Sequence, residues 1–206
     1  MAVRIETCTG AQVAAHLDDL ARLRIAVFRD YPYLYDGDAA YERDYLATYA
    51  RSPGSVFVLA RDGDTVVGAA TGIPLAEEGE AFRRPFLARG CLLAEVYYFG
   101  ESVLLPAYRG QGIGHRFFDG REAQARRLGC RLAAFCAVER ADDDPRRPAD
   151  YRPHDAFWRK RGYRRQEAMF CTLDWKERGD DAASGHRLRF WLRRLDGRGD
   201  AVSTSR

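Results

Sequence analysis

The alternation of apolar and polar positions predicts a string of short elements. Residues 3–7 read as a first strand. Thr9-Gly10-Ala11-Gln12 has the form of a capping box, and Val13, Leu17, Leu20 and Val27 then carry helical spacing to about Phe28. Residues 30–38 are turn-rich, aromatic and acidic. They read either as a surface loop with packed tyrosines or as part of a substrate wall, because carboxylates beside aromatic rings suit a cationic amine. A second helix is predicted over 39–50, ended by Ser52-Pro53-Gly54. Residues 56–61 and 65–73 read as a hairpin around Asp62-Gly63-Asp64. Residues 74–93 are charged and hold Phe82, Pro85 and Phe86; the pattern predicts an irregular connection there.

The most ordered stretch of the pattern runs over 94–128. Residues 94–105 are rich in β-branched, aromatic and leucine side chains and predict a buried strand. Pro106 stops the pairing. After Arg109-Gly110-Gln111-Gly112-Ile113-Gly114, a helix is predicted with Ile113, Phe117, Phe118, Ala125 and Leu128 on one side. Glycines ahead of a helix let the backbone approach a ligand. The unpaired N–H groups of the first turn and the helix dipole favour an anion there, above all a phosphate. No Gly-Lys-Ser/Thr follows, so this is not a Walker loop, and the glycine spacing is not that of a dinucleotide fingerprint.

Beyond the helix, 131–138 predicts a buried strand and 139–153 a long charged loop. A short helix over 154–161 ends at Gly162. Two strands follow, over 163–175 and 186–195, with a loose tail over 196–206.

Length and composition narrow the classes. The chain has 206 residues, enough for one domain with a sizeable core, placed at 1–195. A net charge of +3 from 33 basic and 30 acidic residues is too balanced to call for a nucleic-acid partner. Five scattered cysteines, with no C-x-x-C pair, indicate neither a disulfide framework nor a zinc site. They read as buried thiols in a reducing compartment. With no signal-peptide core and no long apolar run, a soluble cytoplasmic protein without a membrane partner is expected.

Arg109, Gly112 and Gly114, after Leu104-Leu105-Pro106-Ala107-Tyr108, resemble the R/Q-x-x-G-x-G/A acyl-CoA signature of the GNAT N-acetyltransferase superfamily. Phe157-Trp158-Arg159-Lys160-Arg161-Gly162-Tyr163 is similar to the family's second aromatic motif, and the order β-α-α-β-β-β-α-β-α-β-β is that of its fold. The resemblance implies an α/β fold with a mixed central sheet flanked by helices, using acetyl-CoA as acyl donor and no metal. It implies that the backbone of Gly110, Gln111, Gly112, Ile113, Gly114 and His115 wraps the pyrophosphate, beside Arg109. Ser102, Val103 and Leu104 would hold pantetheine through their backbone. The reaction expected is acetyl transfer to a primary amine, on a small molecule or an amino terminus, by direct attack. The alternative is a non-catalytic acyl-CoA binding or sensing module, because Trp158 stands where many members carry an acidic tyrosine. Tyr151 and His154 are the candidate substitutes for that acid, and each also reads as a packing or capping residue. Among Glu95, Glu101 and His115 as base, Glu101 stands out: it is a carboxylate inside an apolar strand, which needs a partner or a substrate. A structural pair with an arginine is the competing reading of Glu101. Cys136, where some members hold a base, reads as a small buried thiol. The acceptor amine is unknown from sequence, and a homodimer is left open.

Overall fold

The computed structural model describes residues 3–196. The tail expected over 196–206 therefore lies, from residue 197 on, outside the described residues. Among the described residues, seven strands form one sheet in the order β1-β2-β3-β4-β5-β7-β6. They are β1 Arg4–Thr9, β2 Val56–Asp62, β3 Thr65–Pro74, β4 Val96–Leu104, β5 Leu132–Val138, β6 Arg164–Trp175 and β7 Ser184–Arg194. Among these strands β4 and β5 pair in parallel and the other pairs are antiparallel. The helix between them, α4 (Ile113–Arg127), makes the crossover that a parallel pair requires.

Both faces of the sheet are covered. On one, α1 (Leu17–Phe28), α2 (Ala39–Arg51) and α3 (Glu80–Leu87) lie over Leu59, Ile73, Tyr98, Val103, Cys136 and Phe190. On the other, α4 and α5 (Asp155–Lys160) enclose Val58, Tyr97, Phe99, Phe135, Tyr163 and Trp191. The expected elements are present with three differences. The first helical segment begins as a 3₁₀ turn, Gly10–His16, before α1; Gln12 Oε1 accepts the Thr9 N–H at 3.1 Å. Residues 74–93 are not irregular, because α3 lies within them. Phe82 and Phe86, one turn apart, are both buried there, against Tyr98 at 4.9 Å and Phe190 at 5.2 Å. Leu128 lies beyond the end of α4 and is exposed, and buried Arg121 takes its place on the inner face.

Two features of β4 position the site. It pairs with β5 only at Val96, Tyr97 and Tyr98; past that point β5 continues beside β7 alone, and the two parallel strands part. On its other edge β4 carries a bulge. Ala70 faces Ser102 and Gly72 faces Phe99, so Gly100 and Glu101 together oppose the single residue Thr71. Gly100 admits no side chain. A Cβ there would overlap the Tyr49 hydroxyl and lie 2.6 Å from Thr71 Oγ1.

Candidate active site

The glycine loop follows from local backbone chemistry. Pro106–Tyr108 forms a 3₁₀ turn, and Arg109 Nε donates to Leu104 O at 3.2 Å. Gly112 is the N-cap of α4 at φ +78°, in the left-handed region where other residues are strained. No side chain caps the helix, and a Cβ at Gly112 would meet nothing within 4 Å. Open space and first-turn N–H groups together make a fitting cradle for a phosphate. Arg109, Gly110, Gln111, Gly112 and His115 are exposed. Ile113 buries its side chain in the core, so only its backbone can serve a ligand. At Gly114 a Cβ would stand 3.6 Å from the Phe157 ring, an ordinary contact, so the protein itself does not exclude bulk there. The second motif docks on this loop: Phe157 lies 4.9 Å from His115, and Trp158 packs on Phe135 at 5.0 Å and Trp191 at 5.1 Å.

The fork between β4 and β5 opens next to this loop, and Ser102–Leu104 form its β4 side. Ser102 is exposed and Val103 is buried. Beneath the bulge, Arg121 of α4 reaches Glu101 O at 3.2 Å and Thr71 O at 3.5 Å, with its guanidinium over Phe99 and Phe118. Burial lowers its pKa to about 10, which keeps it charged at neutral pH.

Above the bulge stands an acidic and phenolic cluster. Glu101 accepts from Thr71 Oγ1 at 2.8 Å and from Arg24 Nη1, while Arg24 Nε donates to Glu42. Burial opposes the charge on Arg24, but Glu101, Tyr45 and Glu42 outweigh it and raise its pKa. The expected arginine partner of Glu101 is thus Arg24, four residues after Leu20 and four before Phe28 on the inner stripe of α1. Tyr45 and Tyr49 of α2 join their hydroxyls at 3.4 Å. At the point of the fork the Tyr98 hydroxyl meets Cys136 Sγ at 3.1 Å, and burial pushes the Cys136 thiol up, so it stays protonated.

The aromatic loop over 30–38 closes this side. Arg140 Nε donates to Pro32 O at 2.6 Å and Trp175 Nε1 donates to Tyr33 O at 3.0 Å, tying the loop to the far strands. Burial raises the Tyr33 phenol, with further effects from Cys136, Arg24, Glu101 and Tyr151, so this loop borders the same cluster. Tyr151 lies half-buried, edge-on to Tyr31 at 4.7 Å, and burial raises its phenol. His154 sits at the start of α5 near Trp158 at 5.8 Å, and Glu95 pairs with Arg131 at the surface. Away from the fork, Glu6, Cys8 and His16 bring metal-type donors together among the described residues. Arg61 Nε donates to Glu6 Oε2 at 2.8 Å in that cluster.

Glu78 was not singled out from sequence. It follows β3 and is 5% exposed, and burial, then Glu101, raises its pKa to about 7. A carboxyl that binds its proton more tightly when folded stabilises the fold below its unfolded pKa, near 4.5, and loses that contribution as pH rises through 7. The wild type should therefore lose roughly 3 kcal/mol between those pH values that Glu78→Gln does not lose. Urea unfolding of both proteins across the window measures it; parallel curves would place Glu78 in solvent. The sequence signal was weak, because Glu77, Glu78 and Glu80 stand together in the charged stretch 74–93.

No helix among the described residues is long and apolar enough to cross a membrane. No curated protein matches the sequence. Among solved structures, a ribosomal-protein-alanine N-acetyltransferase from Brucella melitensis is 17% identical, with 93% of this chain and 99% of that chain covered and a TM-score of 0.58. An N-acetyltransferase from Staphylococcus aureus Mu50 is 15% identical over 95% of this chain and 99% of its own, with a TM-score of 0.57. The Salmonella typhimurium protein yncA, solved with its cofactor acetyl-CoA, is 14% identical over 100% of both chains, with a TM-score of 0.52. At these identities the likeness is one of fold. The model of the acetyltransferase (GNAT) family matches residues 20–163, more than half of the chain, and this protein belongs to that family.

Proposed function

We propose that the protein transfers the acetyl group of acetyl-CoA to a primary amine of a small molecule or an amino terminus. The observation that carries this reading is the junction of the β4–β5 fork with the uncapped glycine loop of α4. The loop, from Gly110 to His115, holds the pyrophosphate through its backbone, with Arg109 beside it. The edge of Ser102, Val103 and Leu104 that no longer pairs with β5 receives the pantetheine arm by β-type hydrogen bonds. Bound this way, acetyl-CoA supplies an activated acyl carbon at the fork.

The other face supplies the acceptor site. Arg24 is shared by Glu42 and Glu101, which leaves that group of three with one net negative charge. Glu101, fixed by Arg24 and Thr71, acts there as a standing charge that attracts an ammonium. The amine reaches the fork between the tyrosines of the 30–38 loop and α2. Proximity and an N–H toward the developing oxyanion carry most of the rate. Tyr151 is the proton donor assigned to the leaving sulfur, because Trp158 has no acid of useful pKa. Release of free thiol from acetyl-CoA across a panel of primary amines tests the reading. Release with at least one amine is expected. CoA binding with no release under any amine would favour the binding or sensing module.

A further inference from the structure

We propose that Glu78, rather than Glu101, is the carboxylate that binds the acceptor ammonium at the fork and takes its proton before attack. The proposal rests on the acetyl-transfer reading and assigns the step that reading leaves open. Glu101 has donors on both oxygens, Thr71 Oγ1 on one and Arg24 on the other. A carboxylate so engaged contributes charge but has little capacity left for a proton or a ligand. Glu78 is buried to the same degree, yet its Oε1 has no hydrogen-bond partner. The Gly79 N–H is the hydrogen-bond donor that acts on its carboxylate. A buried carboxylate with an open oxygen is costly to keep unless something else completes it.

Its surroundings say what that partner is. Glu101 of β4 and Arg24 of α1 both act on Glu78, and Arg83 of α3 acts less than Arg24 does. Tyr45 and Tyr49 of α2 feel its charge, and so does Cys136 of β5. The geometry agrees: the turn that carries Glu78 leaves β3 where Pro74 pairs with Tyr97, and Phe82, four residues on, packs on Tyr98 at 4.9 Å, the residue at which β4 and β5 stop pairing. Burial holds both phenols and the thiol neutral, since it raises each of them. Arg24 is already engaged by Glu42 and Glu101. Two carboxylate oxygens of the cluster, Glu78 Oε1 and Glu42 Oε1, have no hydrogen-bond partner, and neither has Arg83 Nε of α3. With Arg24 shared by Glu42 and Glu101 the unmatched charge is negative, so the fitting ligand is a compact cation with N–H donors: a primary ammonium.

The step balances without another reactant. The ammonium gives one proton to the Glu78 carboxylate and becomes a neutral amine. Its nitrogen forms the C–N bond to the acetyl carbon as the C–S bond breaks. Tyr151 gives its proton to the departing sulfur, making free thiol, and recovers one from the second nitrogen proton, while Glu78 returns the first proton to water. The near-neutral affinity of Glu78 for a proton suits that traffic.

The test uses wild type, Glu78→Gln and Glu78→Asp with ethanolamine, agmatine, spermidine, phenethylamine and alaninamide. Melting temperature is read with and without CoA at about pH 8, and thiol release from acetyl-CoA is followed from about pH 5.5 to 9. At least one amine should raise the wild-type melting temperature. The increment should vanish in Glu78→Gln and partly return in Glu78→Asp. For that amine, kcat/KM should fall about 10²–10⁴-fold in Glu78→Gln, and the fall in rate toward acid pH should lose the component near pH 7. An equal increment in Glu78→Gln, an unchanged pH profile, or no amine that stabilises the wild type would each overturn the assignment. Glu78-dependent stabilisation without thiol release would count against acetyl transfer while leaving the ammonium site at Glu78 in place.

Discussion

Arg24→Met should destabilise the protein by about 3–5 kcal/mol at pH 8, the cost of leaving buried charges without their partner. Glu42 is 0% exposed and Glu101 is 5% exposed, and Arg24 is the cation bonded to both. Methionine fills much of the same volume, so the loss is electrostatic rather than a cavity. Adding Glu42→Gln should recover part of the loss by removing one unpaired charge. Urea unfolding of wild type and both variants at pH 8 decides the matter. A cost below about 1 kcal/mol at pH 8 is what exposed pairs give, and would mean the network is open to water.

That network marks the limit of what the sequence discloses. Elements set by local chemistry were legible. The glycine loop declares itself because a left-handed N-cap and a close phosphate both demand glycine. The hairpin between β2 and β3 declares itself through its turn residues, and the strands β4 and β5 through unbroken apolar runs. The α3 helix was hidden within a charged stretch that holds Pro85, although Phe82 and Phe86 carry helical spacing around it. A proline near the end of a short helix costs less than one in the middle of a long one, and two buried rings outweigh it.

The acceptor side was less legible because it is assembled from segments spread along the sequence from α1 to β5. Arg24 could have been found: it occupies an apolar position on the stripe of Leu20 and Phe28, where a charge needs a buried partner. Pairing it with Glu101, 77 residues away, required the topology. Glu78 carried no periodic signal, since its neighbours Glu77 and Glu80 are both exposed and only the turn before α3 aims one of the three inward. The bulge that brings Gly100, Glu101 and Thr71 together is likewise a property of pairing register, which the pattern of a single strand does not encode.

Gly112→Glu should abolish CoA binding while the protein stays folded. Wild type is expected to bind CoA with micromolar-scale affinity, roughly −8 kcal/mol. Two costs arise at this position, and they separate cleanly. The backbone cost is that of any side chain at φ +78°, about 1–2 kcal/mol. It falls on an exposed loop residue whose Cβ would meet nothing, so the core is untouched and the fold survives. The second cost is specific to the ligand. The same open space that spares the fold is where the pyrophosphate would lie, and a carboxylate there sets like charge against it in place of the first-turn N–H field. Gly112→Ala isolates the first cost: it should lower stability by the backbone strain and weaken CoA binding far less than glutamate does. Calorimetric titration with CoA, with unfolding curves for each variant, gives both quantities. Wild-type affinity in a folded Gly112→Glu protein would move the phosphate away from this loop and withdraw the support it gives to acetyl-CoA as donor.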